Sequence, residues 1–289
     1  MDEHNYPDML EAGSDEAPAS EWETIEIELL IEGLYMAYGY DFRHYLRSSM
    51  RRRIRNRMFI DGASTVTELL GKVFHEPGYA AKLVNDFSIK VTEMFRDPSF
   101  FKAFREKAVP HLKMFPEIRI WHAGCSTGEE VYSMAILLEE EGLLDRAKIY
   151  ATDMSERAIE QAKEGKFPLK RMQAFTKNYL QAGGTKEFSA YYSTDRDHAI
   201  FNRSLADHMV FAQHNLATDS TFNEFHVILC RNVMIYFNPE LQDRVHQLFH
   251  DSLTGNGILG LGSMEYLIAP WKQHYNELTD GERLFVKKD

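Results

Sequence analysis

Cysteine is scarce in this 289-residue chain, which contains only Cys125 and Cys230. Long apolar runs are absent too, since no segment approaches the ~18 consecutive apolar residues of a membrane-spanning helix. Residues 1–20 lack the basic and apolar regions of a signal peptide. Two thiols in a chain without such signals are more typical of buried small residues than of a disulfide. We therefore expect a globular, cytoplasmic protein without a disulfide bond.

Positive charge is missing from the first 32 residues, which contain eleven Asp and Glu but no Lys or Arg. The other 33 acidic residues are balanced by 33 Lys and Arg, so the net charge of -11 belongs to the amino-terminal segment. Residues 1–20 also contain few large apolar side chains, and such a segment cannot offset its ordering entropy by burial. We predict that residues 1–20 form a disordered acidic tail on a nearly neutral body.

The segment Trp121–Glu130 (WHAGCSTGEE) has two glycines, one fewer than the dinucleotide-binding fingerprint requires. Residues 118–121 predict a buried strand, and Gly124 and Gly128 permit a tight turn before residues with helical apolar spacing. Asp153 follows a second predicted strand, where a carboxylate can accept hydrogen bonds from ribose hydroxyls. This combination indicates an adenosine cofactor with few phosphates and suggests S-adenosylmethionine. An ordinary strand-helix turn with a capping Asp is the alternative.

Strands and helices alternate in the second part of the chain, which predicts an α/β domain with a doubly wound parallel sheet. Its first helix is expected to begin at Asp97 and Pro98, a capping residue followed by proline at the first helical position. Residues 168–207 interrupt the alternation and predict a small antiparallel β insertion. Residues 21–88 have helical patterns only, so we predict a helical domain at 21–88 and an α/β domain at 89–289. The predicted strands are 118–122, 148–152, 209–213, 225–230 and 257–261, with a hairpin of 188–193 and 199–202.

Arginines crowd one predicted helix of the amino-terminal domain. Apolar residues recur at every fourth position from Phe42 to Met58 and predict one buried face of this helix. Clustered like charges repel unless they find a partner, so the remaining surface suits an acidic docking partner. A merely solvated charge run is the alternative. The seven arginines are Arg43, Arg47, Arg51, Arg52, Arg53, Arg55 and Arg57.

Three segments occur in a characteristic order: residues 91–97 (VTEMFRD), 125–130 (CSTGEE) and 230–237 (CRNVMIYF). Together they resemble the CheR family of chemoreceptor glutamate methyltransferases, and the likeness extends from Glu21 to the carboxyl terminus. The resemblance implies a Rossmann-like class I S-adenosylmethionine-dependent methyltransferase domain with a small antiparallel β insertion, preceded by an all-helical domain. It also implies O-methylation of glutamates on the acidic cytoplasmic helices of chemoreceptors, giving methyl esters and S-adenosylhomocysteine for sensory adaptation at membrane receptor arrays.

The same resemblance implies roles for individual residues. Arg96 and Tyr236 would lie near the transferred methyl group as catalytic residues, and no metal ion is expected. Lys90 departs from the family where relatives have a polar cofactor contact. The hairpin turn at 193–197 lacks the glycine of members that grip a receptor's carboxyl-terminal tether, so we expect no tether binding. The cofactor would be surrounded by Thr92, Arg96, Gly124, Glu129, Glu130, Asp153, Asn215, Leu216, Arg231 and Asn232.

Two other functions fit parts of the sequence. A non-catalytic module could sense S-adenosylmethionine and dock a partner through the arginines, although intact Arg96, Asp153 and Tyr236 favour an active enzyme. An RNA methyltransferase could hold phosphates with the arginines, but the acidic net charge and the lack of interleaved aromatic residues disfavour nucleic acid as a partner. His246 and His250 have the spacing of a zinc pair without a third ligand nearby, so we interpret them as ordinary helix residues.

Overall fold

The computed structural model describes residues 20–87 and 92–288. The tail predicted at 1–20, apart from Ser20, lies outside these residues, as does Lys90. Ser20 begins the described chain as a helix cap, because its hydroxyl accepts the backbone N–H of Glu23 at 3.0 Å. No helix in the described part of the chain is long and apolar enough to cross a membrane.

Four helices form the amino-terminal domain around one apolar core. The prediction that its arginine-rich helix includes residues 42–46 is wrong, because the helix begins at Arg47 and Arg43 lies in the preceding turn. The backbone N–H of Leu46, the residue before this helix, donates to the carbonyl of Tyr236 in the second domain at 2.8 Å. The helices are α1 (Glu21–Tyr38), α2 (Arg47–Asp61), α3 (Val66–His75) and α4 (Tyr79–Phe87).

The second domain is built on a seven-stranded sheet with the strand order β6-β2-β1-β7-β8-β10-β9. Strands β6, β2, β1, β7 and β8 are parallel, as predicted, and the central ones are buried along most of their length. Strands β9 and β10 are antiparallel and were not predicted, because each is only three or four residues long. The strands are β1 (Ile118–Ala123), β2 (Ala147–Asp153), β6 (Met209–Gln213), β7 (Phe225–Cys230), β8 (Leu253–Leu261), β9 (Tyr275–Glu277) and β10 (Leu284–Lys287).

Helices cover both faces of this sheet, as expected for a doubly wound fold. The helix predicted from Asp97 is present, and a π-helical turn (Phe104–Ala108) joins its two α-helical parts. Asp97 does not cap it through its side chain, because that carboxylate accepts a hydrogen bond from Arg231 instead. The helices are α5 (Pro98–Ala103), α6 (Val109–Leu112), α7 (Glu129–Glu140), α8 (Glu156–Glu164), α11 (Pro239–Ser252) and α12 (Ala269–Lys272).

The antiparallel insertion is a three-stranded sheet with the order β3-β5-β4. Its hairpin is shorter than predicted, because residues 188–191 form a 3-10 turn that buries Phe188 and Tyr191. The fully buried carboxylate of Glu140 fixes the insertion to α7, since it accepts hydrogen bonds from Tyr191 and from Thr185, each at 3.0 Å. The elements are β3 (Lys166–Pro168), α9 (Met172–Gln181), β4 (Tyr192–Asp195), β5 (His198–Phe201) and α10 (Arg203–Ala206).

A short backbone bridge joins the two domains beside the end of β7. Tyr45 pairs with Phe237 in antiparallel fashion, flanked by a hydrogen bond from the Asn238 N–H to the His44 carbonyl at 2.8 Å. The Tyr45 and Phe237 rings meet edge to face with their centroids 4.9 Å apart. The helical domain is therefore attached to the segment that follows β7.

The turn after β7 is held by one buried carboxylate that the sequence did not single out. Glu265 is 3% exposed and accepts four backbone N–H groups. Its Oε1 accepts those of Val233 and Met234 at 2.8 and 2.7 Å, and its Oε2 accepts those of Asn232 and Gly262 at 2.9 and 2.7 Å. Charged acceptors form the stronger class of hydrogen bond. Glu265 thus fixes the backbone of Asn232, whose φ of 61° is unusual for a residue other than glycine.

We predict that Glu265→Gln lowers the free energy of unfolding by about 2–4 kcal/mol, because the new NH₂ group would face backbone donors that need an acceptor. Urea denaturation measures this change, and Glu277→Gln on exposed β9 is the matched control. Equal stability of the two variants would contradict the role assigned to Glu265.

Candidate active site

One cavity lies at the carboxyl ends of β1, β2, β6 and β7, the usual position of ligands in open α/β sheets. It encloses about 980 Å³ including its open mouth. The helical domain contributes to its wall as well as the sheet. The lining residues are Tyr45, Arg53, Phe87, Thr92, Arg96, Gly124, Cys125, Ser126, Glu130, Asp153, Met154, His214, Asn215, Leu216, Arg231, Asn232, Val233, Tyr236 and Phe237.

The two predicted glycines are required by the geometry of the turn after β1. Gly124 has a φ of 82°, and a Cβ atom there would lie 2.5 Å from Val233. Gly128 has a φ of 95°, and its Cβ would lie 2.9 Å from Ala162. The turn is also tied to β2, because the N–H of Gly124 donates to the Thr152 carbonyl at 2.8 Å. The backbone of this turn therefore forms one wall of the cavity without side chains in the way.

Asp153 ends β2 and lines the cavity, as the sequence predicts. One carboxylate oxygen accepts the N–H of Ser126 and the other accepts the N–H of Ser155, both at 2.9 Å. These bonds fix the orientation of a side chain that is 8% exposed. A carboxylate has about four acceptor positions, so a carboxylate at this place is chemically suited to receive ribose hydroxyls.

A buried ion cluster forms the floor of the cavity. The Arg231 side chain is 1% exposed and donates to Glu130 and to Asp97, each at 2.8 Å, and to the carbonyl of Arg96 at 3.1 Å. The second oxygen of Glu130 lies 3.0 Å from Nδ1 of His122. Burial alone raises the pKa of Glu130, but Arg231 and His122 outweigh that effect and lower it to about 2. Glu130 is therefore ionised at neutral pH and balances the buried Arg231.

Glu129 differs from its neighbour because it does not line the cavity. It is 2% exposed, and its two oxygens receive hydrogen bonds from Arg171 at 3.0 Å and from Thr127 at 2.7 Å. Burial raises its pKa. Arg171 also donates to the carbonyl of Thr92, so it joins the start of α7 to the cavity wall. The sequence did not single out Arg171, which precedes α9 in the insertion.

The other predicted cofactor residues meet at the same cavity. Asn215 follows β6, where its backbone N–H donates to Asp219 at 2.9 Å and its side-chain oxygen accepts the N–H of Ala217 at 3.0 Å. Leu216 is buried beside it. These two residues line the same cavity as Thr92, Gly124, Glu130, Asp153, Arg231 and Asn232. Glu129 is the one predicted cofactor residue that does not line it.

Arg96 and Tyr236 also line the cavity, next to a third side chain from α2. The Arg53 guanidinium carbon lies 5.1 Å from the centre of the Tyr236 ring. Burial lowers the pKa of Arg53 to about 10 and raises the pKa of Tyr236. Nη2 of Arg53 is buried and has no hydrogen-bond partner among the described residues. A second cation therefore lines the same space as Arg96.

Tyr45 lines the cavity although no sequence pattern indicates a functional role for it. Its hydroxyl lies 3.5 Å from the sulfur of Met154, which follows Asp153. The fourfold apolar spacing had placed residues 42–58 on one helix, whereas Tyr45 lies in the bridge between the domains. Its position in the sequence next to the arginine-rich segment is the one signal that could have identified it.

The arginines around α2 divide into two groups. Four are paired within the helical domain: Arg43 with Asp41, Arg47 with Glu28, Arg55 with Glu23, and the buried Arg57 with Asp61 and Asp86. Their pairing supports a structural role. Within the described residues Arg51, Arg52 and Arg53 form no ion pair, and we call these three residues the arginine face.

Comparison with known proteins agrees with this geometry. The chain is 47% identical over 264 residues to the putative methyltransferase Cher3 of Pseudomonas putida, covering 91% of this chain and 97% of that protein. It is 30% identical over 244 residues to chemotaxis protein methyltransferase 2 of Pseudomonas aeruginosa, covering 82% and 85%. It is 28% identical over 238 residues to the chemotaxis protein methyltransferase of Listeria monocytogenes, covering 80% and 86%.

Two family models match consecutive parts of the chain. Residues 25–88 match the all-alpha domain of CheR methyltransferases, and residues 90–281 match the S-adenosylmethionine-binding domain of CheR methyltransferases. The cavity is lined by the glycine turn after β1 and by the carboxylate at the end of β2, which suit this cofactor. The chain therefore belongs to the CheR methyltransferase family, with S-adenosylmethionine as its cofactor.

Proposed function

We propose that this protein methylates glutamate side chains of chemoreceptor cytoplasmic domains, forming glutamate methyl esters that adapt the receptors. The enzyme would act on the acidic methylation helices of receptors gathered at the membrane. One observation carries the proposal: the guanidinium of Arg53 lines the cavity beside Tyr236 and gives it a cation suited to a carboxylate. Relatives named as chemotaxis protein methyltransferases support the same substrate class.

The residues of the sheet would hold the cofactor. Asp153 would accept the ribose hydroxyls, the Gly124 turn would contact the amino-acid portion, and Asn215 and Leu216 would border the adenine. Thr92, Arg96, Glu130, Arg231 and Asn232 complete this enclosure, whereas Glu129 would act through Arg171 and Thr92. When bound, S-adenosylmethionine supplies an electrophilic methyl group on a sulfonium sulfur.

The proposed nucleophile needs no general base. The unperturbed pKa of a glutamate is ~4.3, so its carboxylate is already ionised at neutral pH. Transfer of a methyl group from a sulfonium to a carboxylate neutralises both charges. The protein's contribution is therefore to align the carboxylate and to remove water from it. A cavity that the helical domain covers on one side with Tyr45, Arg53 and Phe87 suits both tasks.

Arg96 and Arg53 would orient the substrate carboxylate, and Tyr236 would position it by a hydrogen bond or by packing. The burial that raises the pKa of Tyr236 keeps the phenol protonated, so it can donate. The backbone of Arg96 is fixed through its carbonyl by Arg231, independently of its own side chain. The Arg96 side chain can therefore be changed without removing the ion cluster below it.

The arginine face would draw acidic receptor helices toward the cavity. Arg52 is exposed, and Arg53 connects this surface with the cavity mouth. Clustered cations accelerate the encounter with an acidic partner, and this effect weakens as salt is added. The paired arginines Arg43, Arg47, Arg55 and Arg57 would contribute less, because their charges are already balanced.

Methyl transfer to receptor domains tests the function itself. We expect label from methyl-labelled S-adenosylmethionine to appear on acidic receptor cytoplasmic domains and to be released by base as volatile methanol. Total RNA offered in parallel should stay unlabelled. Label on RNA, or tight cofactor binding without any transfer to receptors, would overturn the proposal in favour of an RNA methyltransferase or a cofactor sensor, respectively.

For Arg96→Ala, we predict a fall in kcat of about 10²–10³-fold, the usual effect of removing one donor to a reacting group. Affinity for S-adenosylhomocysteine, measured by calorimetry, should change little. Arg203→Ala on the exposed α10 is the matched control. Lost cofactor affinity with an unchanged kcat would instead assign Arg96 to the cofactor carboxylate.

For Arg52→Glu, we predict that the KM for the receptor domain rises roughly tenfold, equivalent to about 1.4 kcal/mol. The salt dependence of kcat/KM should also flatten, because an exposed charge acts mainly on encounter. Arg203→Glu reverses another exposed charge, on α10, and should leave both quantities unchanged. Identical kinetics of the two variants would remove docking from the role of the arginine face.

A further inference from the structure

The arginine face has no carboxylate within ion-pair distance among the described residues. Its three consecutive cations form no ion pair within residues 20–87 and 92–288. Unpaired cations this close together in the chain raise the positive potential of the surface around them. An acidic occupant would balance that potential.

The chain itself contains a segment of the required charge. Residues 1–19 contain six carboxylates and no Lys or Arg, so they hold more than half of the net charge of -11. This segment also carries Tyr6, Met9 and Leu10, which can pack against the aliphatic parts of arginine side chains. The six carboxylates belong to Asp2, Glu3, Asp8, Glu11, Asp15 and Glu16.

Residues 1–19 join the fold next to the arginine face. They precede Ser20, and Glu23 in the first turn of α1 pairs with Arg55 at 2.7 Å. Arg51 also lowers the pKa of Glu23, after the larger effect of the Arg55 hydrogen bond. Arg51 and Arg55 are one helical turn apart, about 6 Å along α2. Ten residues can span up to ~33 Å, so the segment is long enough to reach Arg53 and the cavity mouth.

We propose that residues 1–19 dock on the arginine face and compete there with the acidic substrate. The contact itself is independent of the proposed function, whereas its consequence for catalysis rests on that function. A tethered segment acts at an effective concentration in the millimolar range, so even weak ion pairing keeps the surface largely occupied. The contact should weaken at high salt, because the Debye length falls from about 10 Å at 0.1 M to 3 Å at 1 M.

Arginine-specific footprinting tests the contact without any methyl transfer. The full chain is compared with a full-length variant in which the six carboxylates are replaced by Asn or Gln, and phenylglyoxal modification is followed by mass spectrometry. At low salt, Arg52 should react about fivefold faster in the variant, as expected for a surface covered about four-fifths of the time. Arg203, whose side chain is 95% exposed, is the internal control and should react equally in both proteins.

Two results would overturn the proposal. Equal reactivity of Arg52 in both proteins at low salt would show that residues 1–19 do not cover it. Protection that disappears on dilution would assign the contact to a second copy of the chain instead. Disappearance of the difference at 1 M salt, together with independence of protein concentration, is the result that supports an intramolecular contact.

Receptor methylation kinetics then test the consequence. The charge-neutralised variant should have a KM for the receptor domain about fivefold lower, since apparent affinity scales with the free fraction of the site, at an unchanged kcat. Changed footprinting without methyl transfer would refute the proposed function and retain the contact. Methyl transfer with unchanged footprinting and an unchanged KM would refute the contact and retain the function.

Discussion

The buried guanidinium of Arg231 is the interaction on which the site depends. It joins three segments that are far apart in sequence: the end of β7, the start of α7 at Glu130, and the entry to α5 at Arg96 and Asp97. A buried cation is costly unless it is paired and hydrogen-bonded. Two carboxylates and one carbonyl accept hydrogen bonds from Nη1 and Nη2 of Arg231, and its guanidinium carbon lies 4.1 Å from the centre of the Phe100 ring. The positions of Arg96 and of the Gly124 turn are consequently coupled to one another.

A second constraint comes from the bridge between the domains. Glu265 fixes the turn after β7 from one side, and the backbone contact of Leu46 with Tyr236 fixes it from the other. Tyr236 is thereby held between the sheet and α2, where Arg53 lies over its ring. The helical domain is thus a structural part of the cavity. In the proposed enzyme, the sheet would hold the cofactor, and the helical domain would select and orient the methyl-accepting carboxylate.

Local patterns in the sequence were sufficient for much of this architecture. The five parallel strands, the turn at Gly124 and Gly128, and the position of Asp153 follow from short-range spacing, which reflects strand alternation and the backbone needs of a tight turn. Contacts between distant residues left no such signal. The four N–H groups on Glu265, the diversion of Asp97 to Arg231, and the entry of Tyr45 into the cavity depend on the tertiary fold. Which arginines form ion pairs also depends on the tertiary fold, because sequence periodicity cannot show which of them lie next to a carboxylate.

The crystal structure of this protein with S-adenosylhomocysteine and an acidic receptor peptide is the most direct test of a single cavity that serves both ligands. We predict that the ribose hydroxyls bind to Asp153 and that the cofactor sulfur lies between Arg96 and Tyr236. A peptide carboxylate should lie within hydrogen-bond distance of Arg53. A cofactor bound away from Asp153, or a peptide carboxylate on the far side of the helical domain, would contradict it.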